Sequence, residues 1–306
     1  MPRNPLIYAV IPTFNRKVLL EECINSLLSQ TCEIDKIIVV DSGSNDGTIE
    51  MLKKINSEKV TIINGNNKWW WAKCMNEGIG VAIKNNADYV LAMNDDTSLS
   101  FDALKVLLET SKLYPDSIIG SIVHDKNNIN IKITNGFGAI YSKFRWIPKR
   151  IIFKENDDGI LYYTEGQSGR GVLFPISVYN KIGIYDDFNF PQYADRDFSY
   201  RCLKNGISQY LNSRAITYLD FQTTQIGMQI KNLKFKEIHS LFFDIKGIYN
   251  IKNQYRFLKK HYTIWPIWFS TWIIIVISIV ILKLIPGGTN FIRHQLPQFL
   301  NKFKYV

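Results

Sequence analysis

A short acidic segment, NDDT at residues 94–97, carries the strongest indication of chemistry in the sequence. It follows an apolar run at residues 89–93, which is predicted to form a buried strand. Adjacent carboxylates at the end of a strand suit Mg²⁺ or Mn²⁺, and one or two are enough when diphosphate oxygens and water complete the shell. For this segment taken alone, a solvated turn that caps the next helix is the alternative.

Two other polar segments also follow predicted strands. VIPTFNR occupies residues 10–16, and VVDSGSNDGT occupies residues 39–48. At the end of its strand, Asp41 can accept hydrogen bonds from a nucleobase or from ribose hydroxyls, and the small residues after it leave room for a nucleoside. Asp46 is expected to cap the following helix. Together the three polar segments indicate a nucleotide site with a divalent cation.

Strand-like and helix-like segments alternate along the first 125 residues. Strands are predicted at residues 7–11, 36–40, 60–63, 89–93 and 117–123, and helices at residues 19–29, 48–54, 70–84 and 101–113. This alternation predicts an α/β fold with a mostly parallel sheet flanked by helices. Ligands of such sheets bind beyond the carboxyl ends of the strands, which is where the polar segments lie.

The order and spacing of these three segments resemble the inverting glycosyltransferases of family 2, which have the GT-A (Rossmann-like) fold, over residues 6–220. The resemblance implies a nucleotide-sugar donor, with Asp41 at the nucleobase. It also implies a metal motif in which Asp96 is the ligand and Asp95 a second candidate. Asn94 stands where the family has its first carboxylate. The chain also resembles members that build polysaccharides, including rhamnosyltransferase-like and galactofuranosyltransferase-like ones, which carry a similar pair of tryptophans.

A second acidic segment, YADRDFSYR at residues 193–201, is similar to the helix start that carries the catalytic base of the family. By this resemblance Asp195 is the base, Asp197 is the second acid, and Arg201 is the basic residue one turn later. Ala194 replaces an acid that usually precedes the base. The alternative interpretation is a helix N-terminus that is rich in acids because of the helix dipole.

The implied chemistry fits these residue types. A carboxylate at Asp195 would take the proton of an acceptor hydroxyl in the transition state. A cation at Asp96, helped by Arg170 or Lys73, would stabilise the negative charge that develops on the leaving nucleotide diphosphate. Attack from the opposite face in one step would give inversion of configuration at the sugar.

Three consecutive tryptophans at residues 69–71 cannot all face one core, because neighbouring side chains on a helix diverge by about 100°. At least one is expected to line the pocket for the donor sugar or the acceptor. The turn GRG at residues 169–171 can bring backbone N–H groups and a guanidinium against phosphate. The residues predicted to bind the donor are Pro12, Thr13, Asn15, Arg16, Asp41, Ser42, Lys73, Asn76, Asn94 and Asp95, and those predicted to bind the acceptor or phosphate are Trp70, Trp71, Arg170, Asp197 and Arg201.

Three functional parts are predicted along the chain. Residues 1–125 form the nucleotide-sugar half of a GT-A domain, residues 126–220 its acceptor half, and residues 221–306 a basic, amphipathic and hydrophobic region of membrane-associating helices. The net charge of +10 calls for an anionic partner. Basic residues are concentrated at residues 231–260, directly before 19 uncharged residues at 264–282. This order favours an anionic membrane surface over nucleic acid.

The apolar segment at residues 264–285 is predicted either to span the membrane once or to lie in its interface as a monotopic helix. The start of the sequence has no signal-peptide pattern, so the catalytic part is expected at the cytoplasmic face of the cell membrane, acting on a lipid-linked saccharide. Two other functions are open. A sugar nucleotidyltransferase should carry a glycine-rich loop after the first strand, which PTFNR at residues 12–16 is not. A catalytically degenerate, membrane-tethered binding protein gains slight support from Asn94 and Ala194.

Overall fold

The computed structural model describes residues 3–55, 57–133, 151, 153, 158–220, 235–247 and 249–284. The chain divides into two compact units, Met1–Phe221 and Gln222–Val306. Parts of the predicted acceptor half (residues 134–150) and of the predicted membrane-associating region (residues 221–234 and 285–306) lie outside the described residues. All the residues singled out for chemistry lie in the first unit.

One ten-stranded sheet forms the centre of the first unit. Its strands in chain order are β1 (Ile7–Thr13), β2 (Lys36–Asp41), β3 (Val60–Asn64), β4 (Tyr89–Ala92), β5 (Thr97–Leu99), β6 (Ile118–Asp125), β7 (Asn128–Ile133), β8 (Leu161–Thr164), β9 (Val172–Pro175) and β10 (Gln209–Leu219). Across the sheet the order is β3-β2-β1-β4-β9-β6-β10-β5, with β7 paired to β6 and β8 paired to β10.

Helices connect the strands of the first unit. They are α1 (Lys17–Leu28), α2 (Thr48–Ile55), α3 (Trp71–Lys84), α4 (Ala103–Leu113), α5 (Ile176–Ile182) and α6 (Ala194–Lys204). The four helices predicted within the first 125 residues are all present, with ends shifted by at most two residues. The predicted α/β class, with a central sheet flanked by helices, is confirmed.

The prediction of a mostly parallel sheet is wrong for its second half. Strands β3, β2, β1 and β4 do run parallel to one another, as the helices between them require. Strand β9 lies antiparallel between β4 and β6, and β10 is antiparallel to β5 and β8 although parallel to β6. Antiparallel neighbours need no crossover helix, and β6 and β7 are joined by a turn of only two residues. The helix-based alternation therefore could not reveal these strands.

Strand β1 is buried along all seven of its residues, as expected for a central parallel strand covered on both faces. Helix α3 packs closely against it, because a Cβ atom at Gly78 would lie 2.4 Å from Val10 Cγ1. A helix that follows a parallel strand begins at the carboxyl edge of the sheet. The close packing therefore fixes the first turn of α3, which starts at Trp71, above that edge.

The second unit contains three helices among its described residues: α7 (Phe235–Phe243), α8 (Ile251–His261) and α9 (Trp265–Leu284). Asn250 caps α8, because its side chain accepts a hydrogen bond from the backbone N–H of Asn253 at 2.8 Å. The ring of Tyr255 on α8 lies edge-on to Trp265 on α9, with centroids 5.0 Å apart. Aromatic packing thus joins the two helices.

Apolar side chains are exposed on α9, where Ile267 is 62% and Ile274 is 64% exposed. Among the residues that the structure describes, no helix is both long enough and apolar enough to cross a membrane. Membrane association of this region stays a prediction.

Candidate active site

The polar segments that follow the parallel strands meet at one edge of the sheet. Thr13 at the end of β1 is in register with Asp41 at the end of β2, and Asp41 is in register with Asn64 of β3. On the other side of β1, Val10 is paired with Ala92, the last residue of β4. The structure thus brings together the three segments that the sequence indicated for nucleotide and metal binding.

Asp95 is buried, and both of its carboxylate oxygens are hydrogen bonded. Thr13 Oγ1 donates to Oδ2 at 2.9 Å, and Arg16 Nη1 donates to Oδ1 at 2.9 Å. Burial raises the pKa of Asp95 to about 6, the charge of Arg16 opposes this shift, and the neighbouring charge of Asp96 adds to it. The carboxylate of Asp95 is therefore held in one position by Thr13 and Arg16.

Asp96 differs from its neighbour because one of its oxygens has no partner. Its Oδ2 accepts from the same Arg16 Nη1 at 2.9 Å, whereas its Oδ1 is buried without a hydrogen bond. An unsatisfied buried carboxylate oxygen is costly unless something else binds it, and Mg²⁺ and Mn²⁺ prefer such oxygen ligands. Asp96 therefore fits the predicted metal role.

Within the described part of the chain, no group of three or more His, Cys, Asp or Glu side chains is placed to hold a metal ion. A cation at Asp96 would accordingly take its remaining ligands from diphosphate oxygens and water, as Mg²⁺ sites in nucleotide-dependent enzymes do.

The turn after β2 is held by its own side chains. Asp41 is buried and accepts from the backbone N–H and the hydroxyl of Ser44, at 3.0 and 2.5 Å. The hydroxyl of Ser42 contacts the carbonyl oxygens of Asn66 and Trp69, at 2.9 and 2.5 Å. Ser42, predicted to bind the donor, thus fixes the loop between β3 and α3.

The loops after β1 and β2 are tied together. Asn15 has a positive φ of 52°; its backbone N–H donates to Ser44 Oγ, and its side chain accepts from the backbone N–H of Asn45, both at 2.8 Å. Asp46 accepts from the backbone N–H groups of Thr48 at 3.2 Å and of Lys17 at 3.0 Å. Its predicted capping role is confirmed, and it serves the starts of both α1 and α2. Pro12 lies inside β1, in register with Val40 of β2.

Trp71 is the aromatic side chain that contacts several parts of the predicted site. Its Nε1–H donates to Asn94 Oδ1 at 2.9 Å, and its ring lies edge-on to Tyr185 with centroids 5.1 Å apart. Its indole also lies against Gly169, where a Cβ atom would come within 2.7 Å of Trp71 Cζ2. The amide at position 94 thus has a partner of its own, and the indole links the acidic turn to the loop that carries Arg170.

The other residues at the start of α3 make contacts within the protein. Lys73 Nζ forms an ion pair with Glu77 Oε1 at 2.5 Å and lies 5.6 Å from the ring centroid of Trp69. Trp70 is the half-buried residue directly before α3, and its carbonyl oxygen accepts from the backbone N–H of Cys74 at 3.0 Å. The hydrogen bond from the start of α3 to the acidic turn described above is that of Trp71.

Tyr185 was missed by the sequence analysis and is held by Asn76. The side chain of Asn76 donates to the carbonyl oxygen of Tyr185 at 2.9 Å and accepts from its backbone N–H at 3.0 Å, across 109 positions of sequence. Asn76 was predicted to bind the donor, which stays a prediction, and in the structure its side chain holds the backbone of Tyr185. A lone aromatic residue in an irregular stretch gave no signal by which it could have been found.

Asp195 lies in the first turn of α6 and is half-buried. Burial raises its pKa to about 6, while the backbone N–H of Arg196, which donates at 2.9 Å, and the charge of Arg170 lower it. The residue before α6, Tyr193, adopts a left-handed conformation with φ of 62°, which is uncommon for a bulky side chain. A carboxylate with this pKa is ionised at neutral pH and basic enough to accept a proton.

Asp197 and Arg201, which were predicted to bind the acceptor or phosphate, form a buried ion pair with each other, and their contact with a substrate stays a prediction. Asp197 is fully buried and accepts from Arg201 Nε at 2.9 Å. The two remaining nitrogens of the guanidinium donate to the carbonyl oxygens of Ile182 and Ile184, both at 2.7 Å. The pair therefore binds α6 to the end of α5 and so positions the turn that carries Asp195.

Arg170 connects the two acidic sites. It follows Gly169, which supports Trp71, and its charge acts on the carboxylate of Asp195. The next residue, Gly171, has a φ of +66°, and a Cβ there would lie 2.7 Å from Ser121 Oγ. Only glycine fits this crowded turn without strain, and the turn shapes the loop that carries Arg170.

Comparison with known proteins agrees with this arrangement. The model of the family described as glycosyl transferase family 2 matches residues 8–180, which is more than half of the chain. The chain is 25% identical over 271 residues to the dTDP-rhamnosyl transferase RfbF of Shigella flexneri, covering 85% of this chain and 82% of that protein.

Two further relatives are named as sugar transferases. A PGL/p-HBAD biosynthesis glycosyltransferase of Mycobacterium tuberculosis is 25% identical over 224 residues, covering 71% of this chain and 78% of the relative. The GalNAc(5)-diNAcBac-PP-undecaprenol beta-1,3-glucosyltransferase of Campylobacter jejuni is 29% identical over 137 residues, covering 44% and 43%. The chain therefore belongs to glycosyl transferase family 2.

Proposed function

We propose that this glycosyltransferase moves a sugar from a UDP- or dTDP-linked donor to a hydroxyl of a lipid-linked glycan, with inversion, during synthesis of a cell-surface polysaccharide. The observation that carries the proposal is the link between the two acidic sites: Trp71 bonds to Asn94 in the acidic turn and packs on Gly169, beside the arginine that acts on Asp195. One connected site thus holds a candidate metal ligand and a candidate base.

The donor half of the proposal rests on the turns after β1 and β2. Asp41 would recognise the nucleobase or the ribose, because its buried carboxylate is fixed at the carboxyl edge of the sheet where ligands of such folds bind. The name of the Shigella flexneri relative favours a dTDP-linked deoxysugar for this chain. UDP-linked sugars are the alternative that the experiment below includes.

Mn²⁺ or Mg²⁺ would be held by the carboxylate of Asp96, whose Oδ1 has no partner, while Asp95 would be a fixed neighbour rather than a second direct ligand. Bound there, the cation would neutralise charge that gathers on the leaving diphosphate. Arg170 would supply further positive charge, since it follows the glycine against which Trp71 packs and its guanidinium acts on Asp195.

The acceptor half of the proposal rests on Asp195. Its carboxylate would take the proton of the acceptor hydroxyl as that oxygen bonds to C1 of the sugar and the bond from C1 to the diphosphate breaks. Trp71 offers an apolar indole face beside the acidic turn, suited to the C–H surface of a sugar. Asp197 and Arg201 hold the turn of Asp195.

The membrane part of the proposal rests on the second unit. Helix α8 carries Lys252, Arg256, Lys259 and Lys260, and the neighbouring α9 exposes apolar side chains. Basic residues beside an apolar helix suit an anionic membrane surface at the cytoplasmic face, where a lipid-linked acceptor would share two dimensions with the enzyme. Sedimentation with vesicles of anionic lipid, compared with neutral vesicles, tests this; equal binding to both would contradict it.

A donor-release assay tests the catalytic proposal. Purified protein is given UDP- and dTDP-sugars with Mn²⁺ or Mg²⁺ and a lipid extract as acceptor, and the released nucleoside diphosphate is measured. The wild type should release it with one donor class, and Asp96→Ala and Asp195→Ala should not. Asp158→Ala, which removes an exposed partner of Arg214, is the matched control. Wild-type release by both active-site variants would show that the assignment is wrong.

A further inference from the structure

We infer that Arg16 is a built-in counter-cation of the acidic turn, which a divalent metal ion must displace from Asp96 before it can bind. This inference rests on the proposed metal role of Asp96. Arg16, Asp95 and Asp96 are together called the arginine clamp below.

A single nitrogen makes the clamp. Nη1 of Arg16 lies 2.9 Å from Asp95 Oδ1 and 2.9 Å from Asp96 Oδ2, so one end of the guanidinium neutralises both carboxylates. Two adjacent carboxylates would otherwise repel each other in a partly buried place. The clamp thus lets the acidic turn exist in a folded protein before any metal ion arrives.

The three members of the clamp differ in their freedom to move. The side chain of Asp95 is 8% exposed and is also anchored by the hydroxyl of Thr13. The side chain of Arg16 is 36% exposed, and Asp96 keeps one oxygen without a partner. Arg16 can therefore turn outward while Asp95 stays fixed, and this movement would free the carboxylate of Asp96.

Charge makes the two cations exclusive. A divalent ion on Asp96 and the guanidinium on the same carboxylate carry charge of the same sign within a few ångströms, and they repel each other in the low dielectric of this site. A guanidinium released from Asp96 would meet the diphosphate of the donor, which it can bind with two parallel hydrogen bonds. Arg16 is in this account a positioning residue that delays metal binding until an anionic donor offers its side chain another partner.

Metal binding without any nucleotide tests the inference. Mn²⁺ is titrated into the full-length protein, and free Mn²⁺ is followed by electron paramagnetic resonance. Arg16→Gln should bind Mn²⁺ at least about tenfold more tightly than the wild type, which corresponds to about 1.4 kcal/mol. Arg16→Lys should lie between them, because an ammonium group on a flexible stem contacts one carboxylate at a time. Asp96→Asn should abolish the binding.

Arg214→Gln is the matched control, because it removes the same charge from an exposed ion pair elsewhere in the first unit and should leave Mn²⁺ affinity unchanged. Circular dichroism checks that each variant is folded. If Arg16→Gln does not fold, the Mn²⁺ affinity of Arg16→Lys is compared with that of the wild type instead. If the Arg16 variants bind Mn²⁺ no more tightly than the wild type, and binding still requires Asp96, the inference is overturned. The proposed function is not affected by that result. If neither the wild type nor any variant binds Mn²⁺ in a way that depends on Asp96, the metal is no part of the proposed function. The inference is then overturned as well.

Discussion

The two acidic pairs of this enzyme, at the end of β4 and at the start of α6, are built on the same plan. In each, one aspartate is buried against an arginine: Asp95 pairs with Arg16, and Asp197 pairs with Arg201. The other aspartate of each pair keeps capacity for a ligand, since Asp96 has an oxygen without a partner and the pKa of Asp195 is raised to about 6. One acid of each pair is held by an arginine, and its neighbour is the one that we propose for the chemistry.

The two arginines, however, are fixed to different degrees. Arg201 is 20% exposed and uses all three of its nitrogens inside the protein, whereas Arg16 is 36% exposed and holds both of its carboxylates through one nitrogen. The pair on α6 is accordingly a permanent brace, and the pair on the acidic turn is one that can open. Because Arg201 is fixed in place, a substitution of its partner Asp197 should lower the stability of the fold. A substitution of Asp195, which has no part in this ion pair, should instead lower turnover.

The largest effect on stability is expected from Asp197→Ala. It leaves the guanidinium of Arg201 partly buried without its carboxylate, which costs about 3–5 kcal/mol of unfolding free energy. Chemical denaturation of the first unit measures this cost. Asp158→Ala, which breaks an exposed pair with Arg214, is the control and should cost less than about 1 kcal/mol. Equal losses of unfolding free energy in the two variants would mean that the ion pair of Asp197 and Arg201 does not stabilise the fold.

Activity should depend on pH through Asp195. Its carboxylate must be ionised to accept a proton, so turnover should fall by about tenfold for each pH unit below its pKa of about 6. Asp95 also has a pKa raised to about 6, so the profile is compared with that of Asp95→Asn. The fall should persist in that variant. Its disappearance there would assign the titration to the acidic turn instead.

Stability should respond to the same group in the opposite sense. The pKa of Asp195 is higher in the folded protein than its ordinary value of 3.8, so the folded state holds more protons between pH 6 and pH 4. Protonation therefore stabilises the fold as pH falls through this window. Relative to the wild type, Asp195→Asn should gain the most stability above pH 6, and the gain should vanish as the pH falls below the ordinary pKa of 3.8. A gain that does not change with pH would contradict the raised pKa.

The smallest effect is expected from Trp71→Phe. It keeps an aromatic ring against Gly169 but removes the N–H donor to Asn94, which is worth about 1 kcal/mol, or about fivefold in binding. Because the contact joins the acidic turn to the loop of Arg170, the Michaelis constant for the donor should rise and the unfolding free energy should change little. Trp69→Phe, at a tryptophan with no bond to the turn, is the control.

Sequence patterns predicted the parallel half of the sheet well, because there each strand is followed by a helix and by a polar segment. β1, β2 and β4 with Asp41 and Asp96 are the clearest cases. The antiparallel half was predicted only in part. β6 matches the strand predicted at residues 117–123, whereas strands such as β5 and β8 are short and have no helix that marks them. Local periodicity also cannot reveal contacts between distant segments.

The structural roles of predicted site residues are of that distant kind. Asn76 and Tyr185 meet across 109 positions, and Trp71 and Asn94 meet across 23. The family resemblance predicted Asp195 as the base and Asp197 as a contact to acceptor or phosphate, but it gave no sign that Asp197 is fully buried against Arg201. The sequence thus indicated which residues to propose for the chemistry, and the packing adds the contacts that hold their neighbours in place.

Turnover and unfolding free energy, both measured for Asp195→Asn, test most directly whether Asp195 acts in catalysis and not in stability. The account predicts that turnover falls by about 10²–10⁴-fold, because the proton acceptor is lost. It also predicts that the unfolding free energy at pH 7 is unchanged or higher, because a half-buried charge with a raised pKa is removed. Turnover near the wild-type value, or a loss of turnover explained by a less stable fold, would contradict the account.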